Sequence, residues 1–266
     1  MEDCMYLFSK IEEKLQRGET LIGSHIFIGA PPLTECMAQI GFDMLWIDME
    51  HTAIGIESLQ NNLIAARAGG TASFVRIPWN DPVRAKPVID MGPEGIIFPY
   101  IRTADDARMA VASCEYPPKG VRGYGPLRAL EYGGISQTEF VDTLYRKMWR
   151  ILQIEHIDAV DNLEDILAVE GVDAYIVGPN DLAASVGHIG RPLHPDIIPI
   201  YDRIGNVMKK HGKLFGVSAG YDEEVLNAWR KRGARMLFCG SDVSYVRDGA
   251  ATMQKGLQDL CKKEII

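Results

Sequence analysis

Two carboxylates, Glu155 and Asp181, each follow a short apolar run of the kind that forms a buried strand. A carboxylate at the end of such a strand needs a cation or a proton, because desolvating the bare charge is costly. Taken singly, Glu155 could form a salt bridge and Asp181 could stabilise a helix N-terminus. On adjacent strands, the two carboxylates indicate a hard-oxygen metal site that suits Mg²⁺ or Mn²⁺.

The turn that carries Asp181 also offers backbone groups to an anion. It begins at Gly178, which lets a ligand approach the main chain, and it contains a strong N-cap candidate in Asn180. The exposed N–H groups of such a turn suit a carboxylate. The predicted substrate-binding residues of this turn are Gly178, Pro179, Asn180 and Asp181.

Arg76, Asp48 and His51 supply the other candidate groups. Arg76 is a cation in an apolar strand and needs an anion, either structural or bound as substrate. Asp48 lies close to His51 along the chain. An Asp can accept the N–H of a nearby His and fix its tautomer, which leaves the other nitrogen as a base. The alternative for His51 is a capping or hydrogen-bonding role in a loop.

An alternation of short apolar runs and amphipathic stretches positions these residues. It gives about eight βα units, the number that closes a (β/α)8 barrel, whose catalytic groups lie at the C-terminal ends of the strands. An open doubly wound sheet is the alternative, but residues 29–32 lack its Gly-rich phosphate turn. The predicted strands are Leu21 to Ile28, Met44 to Ile47, Ser73 to Ile77, Gly95 to Pro99, Arg150 to Ile154, Ala174 to Val177, Leu214 to Val217 and Met236 to Cys239.

Composition narrows the class of protein. The chain has 266 residues and a net charge of -8, which disfavours a nucleic-acid partner. No apolar run approaches the ~20 residues needed to span a membrane. No linker divides the chain, so residues 1–266 are predicted to form a single domain. The 5 cysteines are scattered without metal-ligand spacing, which favours a reduced cytoplasmic setting.

A series of short motifs follows one order along the chain and falls at the predicted strand ends. They are Gly41-Phe42-Asp43, Ile47 to His51, Val75-Arg76, Trp79 to Pro82, Tyr116 to Gly123, Gln153-Ile154-Glu155, Gly171-Val172-Asp173 and Gly178 to Leu182. From about Gly23 to Asp242, the chain therefore resembles the HpcH/HpaI aldolase family, the metal-dependent pyruvate aldolases. It is especially similar to the 4-hydroxy-2-oxoheptanedioate and 2-keto-3-deoxy-sugar-acid aldolases.

The resemblance implies a TIM barrel of the phosphoenolpyruvate/pyruvate type and reversible cleavage of a 4-hydroxy-2-oxo acid to pyruvate and an aldehyde, through a metal-bound enolate. Glu155 and Asp181 would bind a divalent metal (Mg²⁺, Mn²⁺ or Co²⁺) that pyruvate chelates. Arg76 would stabilise the enolate as negative charge develops. His51, oriented by Asp48, would transfer protons.

The resemblance also implies a homohexamer, a trimer of dimers, whose C-terminal helices are exchanged between subunits. Asp90 matches a family position that reaches the active site of a neighbouring subunit. At His25, by contrast, the chain departs from the Trp of some dioate aldolases. Because this residue would face the aldehyde, the departure leaves the identity of that substrate open.

A long glycine-rich segment spans Tyr116 to Gly134, and its part from Tyr124 to Gly134, with Arg128 and Glu131, is the second departure from the family pattern. Loops of this length in a compact domain are usually functional or mobile. We interpret it as an active-site loop after the fourth strand that faces the aldehyde, with Arg122 and Arg128 as candidate cations for a terminal carboxylate.

Other reactions are compatible with the same residues. Decarboxylation of oxaloacetate also passes through a pyruvate enolate, and a non-catalytic barrel could bind a 2-oxo acid as a sensor. No Lys occupies the mouth end of a predicted strand, which disfavours a Schiff-base aldolase. The expected partners are therefore a small 2-oxo acid and an aldehyde, with neither nucleic acid nor membrane.

Overall fold

Eight parallel strands close into a barrel in which each strand pairs with the next and the last pairs with the first. This computed structural model describes residues 7–262. The predicted (β/α)8 barrel is confirmed, and every predicted strand overlaps an observed one. The strands are β1 Leu21–Ile26, β2 Met44–Asp48, β3 Ala72–Arg76, β4 Gly95–Phe98, β5 Trp149–Ile154, β6 Ala174–Val177, β7 Phe215–Ala219 and β8 Met236–Ser241.

Most strands contribute to two hydrophobic layers, because successive side chains point to opposite faces. In β2, Met44 and Trp46 belong to the cluster inside the barrel, whereas Leu45 and Ile47 belong to the cluster beneath the helices. Asp48 continues the inward series at the end of the strand. The barrel interior is therefore apolar at its centre and polar at its mouth. By the same alternation, the inward residues at the mouth are His25, Asp48, Arg76, Gln153 and Ser218.

Helices connect the strands and cover the outside of the barrel. The first one closes the N-terminal end, where Phe8 and Ile11 pack against the interior cluster. The helices are α1 Phe8–Gln16, α2 Pro31–Gln39, α3 Ile56–Ala68, α4 Pro82–Asp90, α5 Ala104–Cys114, α6 Gln137–Glu139, α7 Ile157–Asp161, α8 Leu163–Leu167, α9 Pro179–Ser185, α10 Ile198–Lys210, α11 Glu223–Lys231 and α12 Asp242–Cys261.

The final helix, α12, leaves the barrel after β8 and is exposed along nearly its whole length. Its exposed apolar residues include Met253, Leu257 and Leu260, which share one face at helical spacing. Between residues 7 and 262, no helix is long and apolar enough to cross a membrane.

The glycine-rich segment lies at the opposite end of the barrel from the one predicted. It follows α5 rather than β4, so the chain has already returned to the N-terminal ends of the strands. Arg122 bonds to Asp90 at the end of α4, and Glu131 pairs with Arg67 at the end of α3. The prediction of an active-site loop after the fourth strand that faces the aldehyde, with Arg122 and Arg128 as its cations, is therefore wrong.

Candidate active site

The C-terminal ends of the strands surround a cavity, which is where barrel enzymes place their sites. It is lined by residues of β1, β3, β5, β7 and β8 and of the loops after β2 and β6. The structure thus brings most of the predicted site residues to one place. Those that line the cavity directly are His51, Arg76, Gly178, Asn180 and Asp181.

Arg76 is held by two carboxylates. Its Nε and Nη2 donate to Asp48 Oδ1 and Oδ2, each at 2.7 Å, and its Nη1 lies 2.8 Å from Glu50 Oε2. The strand register determines the first pair, because Asp48 and Arg76 are direct neighbours on β2 and β3. Only 9% of the Arg76 side chain is exposed. The guanidinium is therefore fixed in orientation and permanently charged.

Asp48 does not orient His51, so that part of the prediction is wrong. Both Asp48 oxygens bond to Arg76, and Oδ1 also accepts from the Glu50 amide at 3.0 Å. His51 lies at the rim with 67% of its side chain exposed, and its Nε2 is 3.6 Å from Glu50 Oε2. The reason is the strand alternation, which directs Asp48 into the barrel toward a buried cation, whereas His51 lies in the loop beyond.

Glu155 is buried at the end of β5, with 4% of its surface exposed. Its Oε1 accepts the Tyr100 N–H at 2.8 Å, and its Oε2 accepts from the side-chain amide of Gln153. Tyr100 adopts a left-handed backbone conformation, with φ at 57°, as it presents this N–H. Burial, reinforced by the nearby carboxylates of Glu50 and Asp181, raises the pKa of Glu155 to about 7.

Asp181 faces the same cavity from the first turn of α9. The residue before that helix, Gly178, passes so close to Glu155 that a Cβ there would lie 2.9 Å from Glu155 Oε2. Amides in a first helical turn have no acceptor within the helix, so those of Asn180 and Asp181 can serve a ligand. The turn therefore combines a carboxylate, backbone donors and room for a small molecule.

A divalent cation fits this donor set. Burial raises the pKa of Glu50 as well as that of Glu155, and Asp181 reinforces both shifts. The Arg76 guanidinium lowers both pKa values but offsets only part of these shifts. A bound cation would relieve the remainder, and carboxylate oxygens are the ligands that Mg²⁺ and Mn²⁺ prefer.

Replacing Gly178 with Ala is expected to weaken metal binding about tenfold, because the new methyl group would displace the Glu155 carboxylate. Isothermal titration with Mn²⁺ measures the change. Gly249→Ala is the matched control, since a Cβ at that position meets nothing within 4 Å. Equal affinities for the two variants would contradict the close approach at Gly178.

Asp90 lies away from this cavity, at the C-terminal end of α4 and therefore at the N-terminal side of the strands. It bonds to Arg122 at 2.9 Å, and Arg122 is almost completely buried against the rings of Tyr116 and Phe140. Within one chain Asp90 cannot act at the mouth. A catalytic role for Asp90 remains a prediction that requires a second subunit.

Sequence reasoning missed several residues of this cavity. Glu50 holds Arg76, while Gln153 and Tyr100 hold Glu155. Gln153 could have been found, because it lies two residues before Glu155 and shares its inward face. The Tyr100 amide carried no signal in its residue type, since the contact depends on a backbone conformation.

A separate cluster of His188, His194 and Asp196 follows α9, outside the cavity. The imidazole rings stack with centroids 3.7 Å apart, and Asp196 Oδ2 lies 3.1 Å from His188 Nε2. His194 Nδ1 also lies 3.5 Å from the same Asp196 oxygen, so the three side chains already contact one another. The Asp196 amide also donates to His194 Nδ1 at 3.3 Å. This cluster therefore supports the loop.

A TIM barrel with carboxylates and a fixed arginine at the C-terminal ends of its strands has the layout of a barrel enzyme. The model of the HpcH/HpaI aldolase/citrate lyase family matches residues 26–249. The chain belongs to this family, and the predicted aldolase-type carbon–carbon lyase is confirmed.

Several relatives span nearly the whole chain. A 5-keto-4-deoxy-D-glucarate aldolase of Shigella boydii serotype 18 is 34% identical over 99% of this chain and 100% of its own length. The structure of a family member from Burkholderia cenocepacia J2315 has a TM-score of 0.86 and 32% identity, covering 94% of this chain and 99% of that one.

A more distant structure shares the fold. It is the protein CitE of Mycobacterium tuberculosis in complex with magnesium and pyruvate, with a TM-score of 0.54 and 12% identity, covering 86% of this chain and 88% of that one.

Proposed function

We propose that the chain catalyses reversible cleavage of a 4-hydroxy-2-oxo acid, of the keto-deoxy-sugar-acid type, to pyruvate and an aldehyde. The observation that carries this proposal is the meeting of three groups at the barrel mouth. Asp181 and the fixed Arg76 line one cavity, and the buried Glu155 lies close enough to both to interact with their charges. Such a site holds an oxo acid at one end and stabilises negative charge at its oxo oxygen. Relatives at 34% identity are 5-keto-4-deoxy-D-glucarate aldolases, which favours a substrate of that kind.

Glu155 and Asp181 would hold a divalent metal, Mg²⁺, Mn²⁺ or Co²⁺. When bound, such an ion acts as a Lewis acid on the oxo group. Gln153 and the Tyr100 amide keep the Glu155 carboxylate in place for this role. The structure of CitE, which shares the fold, contains magnesium and pyruvate, and this supports a divalent metal and a 2-oxo acid as the bound species.

The chain's own groups bind and orient the oxo acid. The first-turn amides of Asn180 and Asp181, next to Gly178 and Pro179, would receive the carboxylate. Arg76 would donate to the oxo oxygen, where charge accumulates as the C3–C4 bond breaks. Because Asp48 and Glu50 already fix the guanidinium, little reorganisation is needed in the transition state.

His51 would take the proton of the 4-hydroxyl group during cleavage and return it during addition. Its exposed position at the rim suits a base that meets the second substrate. Glu50, 3.6 Å from Nε2, would take over the orienting role first expected of Asp48. Glu50 would therefore contact both the base, His51, and the guanidinium of Arg76.

The test is retro-aldol turnover of a 4-hydroxy-2-oxo acid in the presence of EDTA and after addition of Mg²⁺, Mn²⁺ or Co²⁺. Turnover should vanish with the chelator and return with metal. Full activity in the chelated sample would reject the mechanism. Offering oxaloacetate separates the other reaction, since release of CO₂ without any aldol cleavage would favour a decarboxylase.

We also propose that the domain, residues 1–266, assembles into a homohexamer by exchange of α12 between subunits. The exposed apolar face of α12 supports this proposal, since single chains rarely leave such a face uncovered. In such an assembly a neighbour would bring Asp90 to the mouth of another barrel. The 5 cysteines without paired spacing support a cytoplasmic setting.

Leu257→Glu on α12 is expected to reduce the molar mass in solution, because it places a charge on the covered face. Multi-angle light scattering after size exclusion measures the mass. Gln258→Glu is the control, because it adds the same charge one residue further along the helix. An unchanged mass for Leu257→Glu in an oligomeric protein would count against exchange of α12.

A further inference from the structure

We infer that Ser218, positioned by His25, is a fixed hydrogen-bond acceptor that selects aldehydes bearing a hydroxyl group near the reacting carbon. This inference rests on the proposed aldol reaction and concerns only its aldehyde half. It is carried by a chain of two hydrogen bonds whose donors and acceptors can be assigned one after the other.

The His25 ring is enclosed and bonded at both nitrogens. Its Nδ1 lies 2.7 Å from the Gly240 carbonyl oxygen and its Nε2 lies 2.8 Å from Ser218 Oγ. The rings of Phe27 and Trp46 each have centroids 5.3 Å from that of His25. Only 5% of His25 is exposed, so both bonds are shielded from solvent.

The direction of both bonds follows from Gly240. A carbonyl oxygen can only accept, so His25 Nδ1 carries the proton. Burial lowers the pKa of His25 to about 4, and the ring is therefore neutral near pH 7. A neutral ring protonated at Nδ1 has a bare Nε2, which must accept. The hydroxyl proton of Ser218 is consequently committed to His25.

A ligand in the cavity meets only the lone pairs of Ser218. Ser218 and His25 both line the cavity, and Ser218 is only partly buried. A substrate hydroxyl can donate to Oγ. A carbonyl or carboxylate oxygen at that point would place two acceptor atoms next to each other with no proton between them. An apolar group would leave the lone pairs desolvated. The pair therefore discriminates by the direction of one hydrogen bond.

Ser218 lies in the part of the cavity that the aldehyde must use. The oxo acid is assigned to Arg76 on β3, Glu155 after β5 and the turn after β6. Apart from His51 and Gln153, the rest of the lining comes from β1, β7 and β8, from the residues that follow β1 and β7, and from the start of α12. A new bond to the pyruvate methyl carbon therefore extends the product toward Ser218.

The experiment compares aldehydes that differ by one hydroxyl: glycolaldehyde with acetaldehyde, and glyceraldehyde with propanal, each with pyruvate and Mn²⁺. The wild-type protein should favour the hydroxylated member of each pair. Ser218→Ala should lower that ratio of kcat/KM about tenfold, mainly through the KM for the aldehyde. Ser218→Thr keeps the hydroxyl and should retain the preference. Each ratio compares two aldehydes with the same protein variant, so a smaller fraction of active protein lowers both kcat/KM values equally and leaves the ratio unchanged.

His25→Phe separates a positioning role from a direct one. A Phe ring suits the aromatic surroundings, but it frees the Ser218 hydroxyl to rotate and donate. The ratio should fall although Ser218 remains, and adding Ser218→Ala should lower it no further. In ¹⁵N NMR spectra, His25 should show a protonated Nδ1 and a bare Nε2 whose resonance moves in Ser218→Ala.

Ser244→Ala is the matched control, because that serine lines the same cavity but donates to the Ser241 carbonyl at 2.8 Å. It should leave the ratio unchanged. An unaltered ratio in both Ser218→Ala and His25→Phe, or a protonated Nε2, would overturn the inference. Exchange of the pyruvate methyl protons with deuterium needs no aldehyde. Its absence in the metal-loaded wild-type protein would instead show that the proposed function has failed.

Discussion

Glu155→Gln is expected to lower kcat/KM by about 10³-fold, because it removes one of two charged metal ligands and with it most of the Lewis acid. The same substitution should abolish the thermal stabilisation that Mn²⁺ or Mg²⁺ gives to the wild-type protein. In the wild type, metal at about 100 times its Kd should raise Tm by about 5 °C or more. Differential scanning calorimetry with and without EDTA measures the shift.

The stabilisation should depend on pH with a definite sign. Burial raises the pKa of Glu155 from its ordinary value of 4.5 to about 7. A raised pKa means that the folded chain binds the proton more tightly than the unfolded chain does. Stability from this group is therefore present at low pH and is lost as pH rises from about 4.5 to about 7.

Metal and proton compete for the same carboxylate, so the gain in Tm on adding metal should be larger at about pH 8 than at about pH 5.5. In Glu155→Gln this pH dependence should disappear. Glu164→Gln is the control, since Glu164 pairs on the surface with Lys210 and lies on α8. A metal-induced shift that survives in Glu155→Gln would place the metal elsewhere.

The barrel and its mouth were predictable because they depend on patterns that a sequence displays. The eight apolar runs predicted the strands. The polar residues at their C-terminal ends were the candidate site residues, and these included Glu155, Asp181 and Arg76. These side chains come from different strands, and only the parallel register brings them together. The order of the family motifs along the chain indicated the aldolase reaction, which the strand pattern alone did not identify.

The partners of these residues were not predictable, because they depend on direction rather than position. Proximity in sequence favoured His51 as the hydrogen-bond partner of Asp48. Because the Asp48 side chain points into the barrel, its partner is Arg76 instead. The glycine-rich segment was placed at the mouth because its composition indicated a loop. Composition does not indicate the end of the barrel at which a loop lies. That depends on whether a helix, here α5, has already returned the chain to the N-terminal ends of the strands.

The two hydrogen bonds that Arg76 donates to Asp48 determine which substitution can test the role of Arg76. Removing the guanidinium altogether would leave Asp48 buried without its cation, which typically costs about 3–5 kcal/mol of stability. Arg76→Ala would therefore lose activity through unfolding as well as through catalysis. Arg76→Lys keeps the positive charge and removes only the planar guanidinium with its paired N–H donors. It therefore tests the contribution of the oriented hydrogen bonds separately from that of the charge.

Arg76→Lys is expected to lower kcat about 10²- to 10³-fold, with a much smaller change in the KM for the oxo acid, because the lost hydrogen bond strengthens in the transition state. The unfolding midpoint in urea should fall modestly, which separates this loss from misfolding. Retro-aldol kinetics and deuterium exchange at the pyruvate methyl group should decline together, since both need the enolate. Retention of kcat within about threefold would mean that Arg76 serves mainly to neutralise Asp48 and Glu50, and that another donor meets the enolate oxygen.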